Sequence, residues 1–364
     1  MGIPSYFSHI VKNHRTIIKK YNPLKKTINN LYLDCNSIIY DSLREMKPEK
    51  NTNKFENKLI DNVNRQIVYY IELIKPKNRV FIAFDGVAPV AKLDQQRNRR
   101  YKSWLEKHLC EQLGKNDTIK KNDTIKKNDT IKKNVDWNTV AITPGTKFME
   151  KLGKKVTAYF KDQKKFTLEE IIVSSSKEEG EGEHKIYEYI RTHSAYHKNT
   201  STAIYGLDAD LIMLTLNHLH ISNQLYLFRE TPHFIKSIDK TLDPNTNYLM
   251  DIPELADKLV EDFGGDKTYD KTHDKTHAED NKKRVIFDYI LLCFFLGNDF
   301  MPHFPALNIR TDGIARLLET YKDVMMKNKQ FITDGEKINW KNLRKFVSAL
   351  SEEEHTYIKI EYKK

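Results

Sequence analysis

The chain has 364 residues, 39% hydrophobic and 30% charged, with 19 Tyr and 17 Phe, a composition that supports a packed core and excludes global disorder. Lys and Arg outnumber Asp and Glu by 61 to 50, a net charge of +11, which favours polyanionic partners such as nucleic acid. Three separated cysteines, Cys35, Cys110 and Cys293, exclude a disulfide framework and a zinc spacing, and the longest apolar run, VIFDYILLCFFLG, is too short for a membrane span and carries Asp288.

In chain order, strands are expected at Leu31–Leu33, Val80–Phe84, Glu170–Ser174, Ala203–Gly206 and Gln224–Phe228. Amphipathic helices are expected at roughly Lys54–Ile74, Ala88–Glu111, Thr146–Lys161, Glu183–Thr192, Ala209–Leu219, Ile252–Asp262, Lys283–Leu296, Gly313–Met326 and Trp340–Leu350. This alternation predicts an α/β fold, a mostly parallel central sheet covered by helices on both faces. Two low-complexity blocks interrupt it. NDTIKK occurs three times from Asn116 to Lys133, and a four-residue unit runs from Asp266 to His277. Both read as polar surface loops. The expectation is a single domain over 1–364, with insertions near 115–134 and 265–280 and a helical part from about 281.

Acids stand at the ends of the apolar runs. They are Asp34 in LYLDCN, Asp85 in VFIAFDG, Glu181 and Glu183 in GEGEHK, Asp208 and Asp210 in YGLDAD, and Asp299 in LGNDF. Asp34, Asp85 and Asp208 fall within two residues of an expected strand's carboxyl end, where ligands gather in open α/β sheets. A lone buried carboxylate is costly, so acids brought together call for cations, here two Mg²⁺ or Mn²⁺ ions. Gly180 and Gly182 allow close backbone approach beside the glutamates. Taken singly, each acid also reads as a turn or cap residue; Asp208 and Asp210 before a helix read as capping residues.

In VAPVAKLDQQRNRRYKSW, Lys92, Gln96, Arg99 and Arg100 fall at i, i+4, i+7 and i+8, one side of a helix. Two guanidinium forks, an ammonium and an amide make a socket for a phosphate, or a solvated basic face. Tyr40, at the start of an expected helix after Asp34, is a candidate base-stacking ring or a core tyrosine. His184 and Lys185 either polarise a phosphate or make structural hydrogen bonds. No Ser/His/Asp arrangement, Walker loop or dinucleotide fingerprint is present.

MGIPSYF, LYLDCNSIIY, FIAFDGVAPVAKLDQQRNRR, ITPGTKFM, GEGEHKI, YGLDADLIML and LLCFFLGNDFMPHFP, in that order, resemble the successive blocks of the Xrn-type 5′→3′ exoribonucleases. The resemblance runs from Met1 to about Tyr321. It implies a fold similar to the flap-endonuclease and PIN-like nucleases. It implies stepwise hydrolysis of single-stranded RNA bearing a 5′ monophosphate, with two Mg²⁺ or Mn²⁺ ions held by the seven acids. The 5′-phosphate pocket would be Lys92, Gln96, Arg99 and Arg100. Tyr40 stands where the family usually has histidine, and Glu179 where proline is common. Larger members continue beyond the position of Lys364 into a second conserved region, and processivity is expected to depend on it. The implied partners are RNA and, upstream, decapping or other RNA-processing factors, with no membrane. The implied setting is intracellular, cytoplasmic rather than nuclear; the lysine- and asparagine-rich style suggests an AT-rich genome, a viral one among the candidates. A nuclease of the same fold acting on DNA flaps, or an RNA-binding scaffold without turnover, stays open at this point.

Overall fold

A computed structural model describes residues 3–363 apart from 4, 48, 50, 114–136, 207, 230–235, 237–239, 244–245, 264–274 and 299–300; the side chains at 99, 103, 107, 110–113, 163–164, 275–278 and 311 also lie outside the described set. In chain order, helix α1 (Tyr6–Asn13) and strand β1 (Ile18–Lys20) precede β2 (Asn30–Asp34), α2 (Asn36–Arg44), α3 (Thr52–Ile74) and β3 (Arg79–Ala83). Next come α4 (Val90–Leu113), α5 (Lys147–Tyr159), β4 (Glu170–Ser174), α6 (Gly182–Thr192), α7 (Ser194–His197), β5 (Thr202–Tyr205), α8 (Asp210–His218) and β6 (Leu225–Arg229). The chain continues through β7 (Tyr248–Asp251), α9 (Ile252–Asp262), α10 (Lys275–Phe294), α11 (Gly313–Val324), α12 (Trp340–Ser351) and α13 (Glu354–Lys363). It divides into two compact units, Pro23–Tyr189, and Met1–Asn22 with Ile190–Lys364.

In the Pro23–Tyr189 unit, β2, β3 and β4 run parallel in that order. The apolar runs of β2 and β3 are continuous because both faces are buried, as inner parallel strands require; Leu31, Leu33, Val80 and Ile82 have no exposed surface, whereas β4 is half-buried at Ile172 and Val173. Register sets Asp34 beside Ala83 and Ala83 beside Ser174, so three strand ends finish level. Around this sheet, α3 turns Leu59, Val63, Ile67 and Ile74 inward on one stripe. Asn51 caps its start, the side chain accepting from Lys54 N–H at 3.0 Å. Thr146 caps α5 in the same way, from Met149 N–H at 3.3 Å.

In the other unit the strand order is β1-β7-β6-β5. β5 and β6 are parallel, and β7 lies antiparallel to both β6 and β1. The α/β class is therefore as expected: a mixed, mostly parallel sheet with helices around it. β1 and β7 were not expected, because IKK and YLMD are short and lack a sustained apolar run. Among the described residues, no helix is long and apolar enough to cross a membrane.

Two details correct the sequence expectation. Tyr40 sits in the middle of α2, not at its start, because the helix begins directly after Cys35. The helix expected from Lys283 begins at Lys275, so the end of the second repeat block is helical, not loop. Asp288 on that helix is wholly buried. It accepts from the Tyr321 hydroxyl, from Ile332 N–H at 2.8 Å and from Thr333 N–H at 2.7 Å. Burial pushes its carboxyl up to about 6 against those three donors and Arg284. The NDTIKK block lies outside the described residues.

Candidate active site

The loops after the level ends of β2, β3 and β4 bring four of the seven acids together. Asp34 is the last residue of β2, and Asp85 stands two residues beyond β3. Glu181 and Glu183 flank Gly182, the first residue of α6. The Gly182 N–H donates to Asp85 Oδ1 at 2.7 Å. A β-carbon at Gly182 would stand 2.5 Å from Asp34 Oδ1 and 3.4 Å from the Ala83 carbonyl oxygen. Only glycine lets the helix start reach both aspartates. Two backbone bonds fix the approach: Gly86 N–H donates to the Gly180 carbonyl at 2.8 Å, and Gly180 N–H to the Val87 carbonyl at 3.0 Å. Gly180 takes φ +91° to make that turn.

Asn36, which the sequence reading passed over, holds Asp85 from the other side. Its side-chain amide donates to Asp85 Oδ2, and its Oδ1 accepts from Asp85 N–H at 3.1 Å. The available signal was its place in LYLDCN, two residues after Asp34, at the first turn of α2. Burial pushes the Asp85 carboxyl up to about 6. The Gly182 N–H opposes that shift, Glu181 adds to it, and Lys185 and Lys92 oppose it.

Lys92 is buried, 5% exposed. Its Nζ lies 2.6 Å from Glu181 Oε2 and 3.9 Å from Glu183 Oε1. Its ammonium therefore lies against two glutamates, where the helical spacing suggests a phosphate socket shared with Gln96, Arg99 and Arg100. Gln96 is half-buried and Arg100 exposed on the same helix; the Arg99 side chain lies outside the described residues. His184 Nε2 lies 3.7 Å from Glu181 Oε2 and 3.9 Å from Glu183 Oε1. Lys185 is structural: its Nζ donates to the Phe84 and Ser175 carbonyls, both at 2.8 Å. Burial lowers its pKa, with Glu178 and Asp85 pulling the other way.

Asp208 and Asp210 belong to the other unit. Asp208 is exposed just before α8, and Asp210 is that helix's first residue, half-buried. The N-cap is Ala209, with no side-chain cap bond, so neither aspartate is the capping residue. Asp299 lies outside the described residues. Tyr40 on α2 is 39% exposed.

Glu181, Glu183 and His184 each present a ligand atom within 4.8 Å of the others. Oxygen-rich donors, a glycine cradle that keeps two aspartates close, and a carboxyl driven up by burial with Glu181 adding to it fit a hard divalent cation. Among the described residues, the Lys92 ammonium lies against Glu181 and Glu183, beside His184, and the Lys185 ammonium acts on Asp85.

The family model described as XRN 5′-3′ exonuclease N-terminus matches residues 1–231, and the Xrn1 helical domain matches residues 279–363. The chain is 30% identical to 5′-3′ exoribonuclease 2 of Arabidopsis thaliana, over 96% of its own length and 39% of that protein's. It is 32% identical to 5′-3′ exoribonuclease 1 of Saccharomyces cerevisiae, over 97% of its length and 22% of that protein's. It is 31% identical to the human 5′-3′ exoribonuclease 1, over 97% and 20%. The chain thus spans well under half of each of these relatives. Among solved structures it is similar to the catalytic core of Rad2 in complex with DNA substrate, at a TM-score of 0.44 and 13% identity, covering 96% of this chain and 79% of that one.

Proposed function

The chain belongs to the XRN 5′-3′ exonuclease family, and from that premise we propose that it hydrolyses single-stranded RNA stepwise from a 5′-monophosphorylated end, using two Mg²⁺ or Mn²⁺ ions. One observation carries the reading: Asp34, Asp85, Glu181 and Glu183 meet around a bare Gly182 at the level ends of parallel strands. These four acids would hold the ions. Asp208, Asp210 and Asp299 join the proposed ligand set by their place in the family's blocks. When bound, the ions supply a water of lowered pKa and neutralise charge on the scissile phosphate.

The chain's own residues do the rest. Asn36 and the Gly182 N–H hold the Asp85 carboxylate from two sides, so its lone pairs point in a fixed direction. Lys92 compensates Glu181 and Glu183 until substrate and ions arrive. Gln96, Arg99 and Arg100 continue the same helix and would receive the leading phosphate, with Lys92 at the inner end of the row. Tyr40 would stack on the first base. A requirement for a 5′ monophosphate places the activity after reactions that expose one, decapping among them.

The test is a time course on one RNA sequence carrying a 5′ hydroxyl, monophosphate or triphosphate, with and without Mn²⁺, alongside the matched 5′-phosphorylated DNA. Mononucleotides released only from the monophosphate RNA, and only with metal, are the expected result. Faster consumption of the DNA would assign the chain to flap or end processing of DNA. No turnover of any strand, with RNA still bound, would assign it to a scaffold role.

A further inference from the structure

Helix α4 carries an aromatic strip that the acid site does not use. Tyr101, Trp104 and His108 fall at i, i+3 and i+7, spanning about 60° of the helix circumference. Their rings stack in series: Tyr101 and Trp104 centroids are 5.8 Å apart at 29°, and Trp104 and His108 are 5.3 Å apart at 7°. Tyr101 is 62% and Trp104 56% exposed. An indole this exposed forgoes much of the burial its ring could supply, more than a ring pair within one helix returns.

The strip is also cationic. Arg97 lies in line with it, one turn before Tyr101, and Arg100 borders it on the Trp104 side. Arg97 is paired with Asp94 at 2.8 Å, but both side chains are largely exposed, so the pair holds the guanidinium weakly. Lys92, which points into the acids, lies roughly 150° around the helix from the strip's centre and about 18 Å from Trp104 along the axis. The acids and the strip are thus separate places along α4, with Arg100, named above for the leading phosphate, between them.

Resting on the exonuclease reading above, we propose that Tyr101, Trp104 and His108 form a stacking platform for unpaired RNA bases, a second contact outside the acid site. Bases stack on ring faces with little sequence preference, and Arg97, in line with the rings, matches the charge of a phosphate between them. A strand whose leading end is at the acids would reach the platform only when it is several nucleotides long.

The experiment measures binding of 3′-fluorescein-labelled, 5′-phosphorylated oligouridine to the full chain by anisotropy in EDTA, with strands of about four and about fifteen nucleotides. The variant Tyr101→Ala/Trp104→Ala/His108→Ala is expected to bind the long strand about tenfold more weakly and the short strand as the parent does. Trp104→Phe, which keeps a ring, is expected to retain most of the long-strand affinity. Unchanged affinity for the long strand overturns the proposal, as does an equal loss on both strands or a loss in Trp104→Phe as deep as in the triple variant. A parent chain that sediments as a dimer, dissociated by the triple variant with RNA affinity unaltered, makes the face a self-association surface and also overturns it. Mononucleotide release by the parent from the long strand with Mn²⁺ reports separately on the exonuclease reading, so the two can fail independently.

Discussion

Asp85, half-buried, and Asp288, wholly buried, are both pushed up to about 6 by desolvation, yet their surroundings are opposite. Asp288 sits among donors: a tyrosine hydroxyl and two backbone N–H groups converge on it. Asp85 has donors in Asn36 and Gly182, but also Glu181 nearby and Asp34 against the same glycine. An acid surrounded by donors ties a segment in place. An acid surrounded by acids needs positive charge brought to it. On the proposed function, the contrast separates a structural carboxylate, Asp288, from a metal-holding one, Asp85, even where their titration is alike.

The sharpest way to break this contrast is to remove each charge. Asp85→Asn should cut mononucleotide release by about 10³-fold or more, while thermal unfolding without metal stays unchanged or shifts upward. Retention of a tenth of the rate would show that Asp85 is not part of the chemistry. Asp288→Ala should do the reverse. It strands three donors and should cost about 3–5 kcal/mol in urea unfolding, with the rate per folded molecule preserved. A stability equal to the parent's would show that the Ile332–Thr333 segment is held by something else.

Metal is the next discriminator. Mn²⁺ at about a hundred times its dissociation constant should add about 2.7 kcal/mol of stability to the parent and to Asp288→Ala. The gain should shrink in Asp85→Asn, and an undiminished gain there would place the ion elsewhere. The smallest expected effect is in pH. A carboxyl whose folded pKa is raised binds its proton more tightly when folded. Its stabilising contribution is complete below about pH 4 and is lost as pH rises through about 6. In chelator, the parent should lose about 2 kcal/mol over that window through Asp288, and Asp288→Ala should lose correspondingly less. Equal slopes in the two proteins would remove Asp288 from the account.

Much of this was legible beforehand. LYLD, VFIA, EIIVS, TAIY and LYLFR are runs dense enough to read as buried strands, and each is one. The parallel strand ends then placed Asp34 and Asp85 together, because a shared register leaves them little choice. What stayed hidden depended on partners distant in sequence. The spacing of Lys92 fixes its angle on α4, but only the fold shows that Glu181, 89 residues away, is what it meets. Asn36 was invisible because its partner Asp85 lies 49 residues on. Asp288 was read as an argument against a membrane helix; its donors come from segments 33 to 45 residues later. The strip of Tyr101, Trp104 and His108 could have been found, since its spacing is local.

At one margin of the strand order lies β1, three residues long, paired only with β7 among the described strands. Two of its residues are exposed lysines, and Lys19 is tied to Glu254 at 2.6 Å. An open strand margin invites another chain to add itself and begin a fibril, whereas a brief, positively charged one discourages it. The same polarity that kept IKK from being recognised as a strand therefore guards this border of the sheet against aggregation.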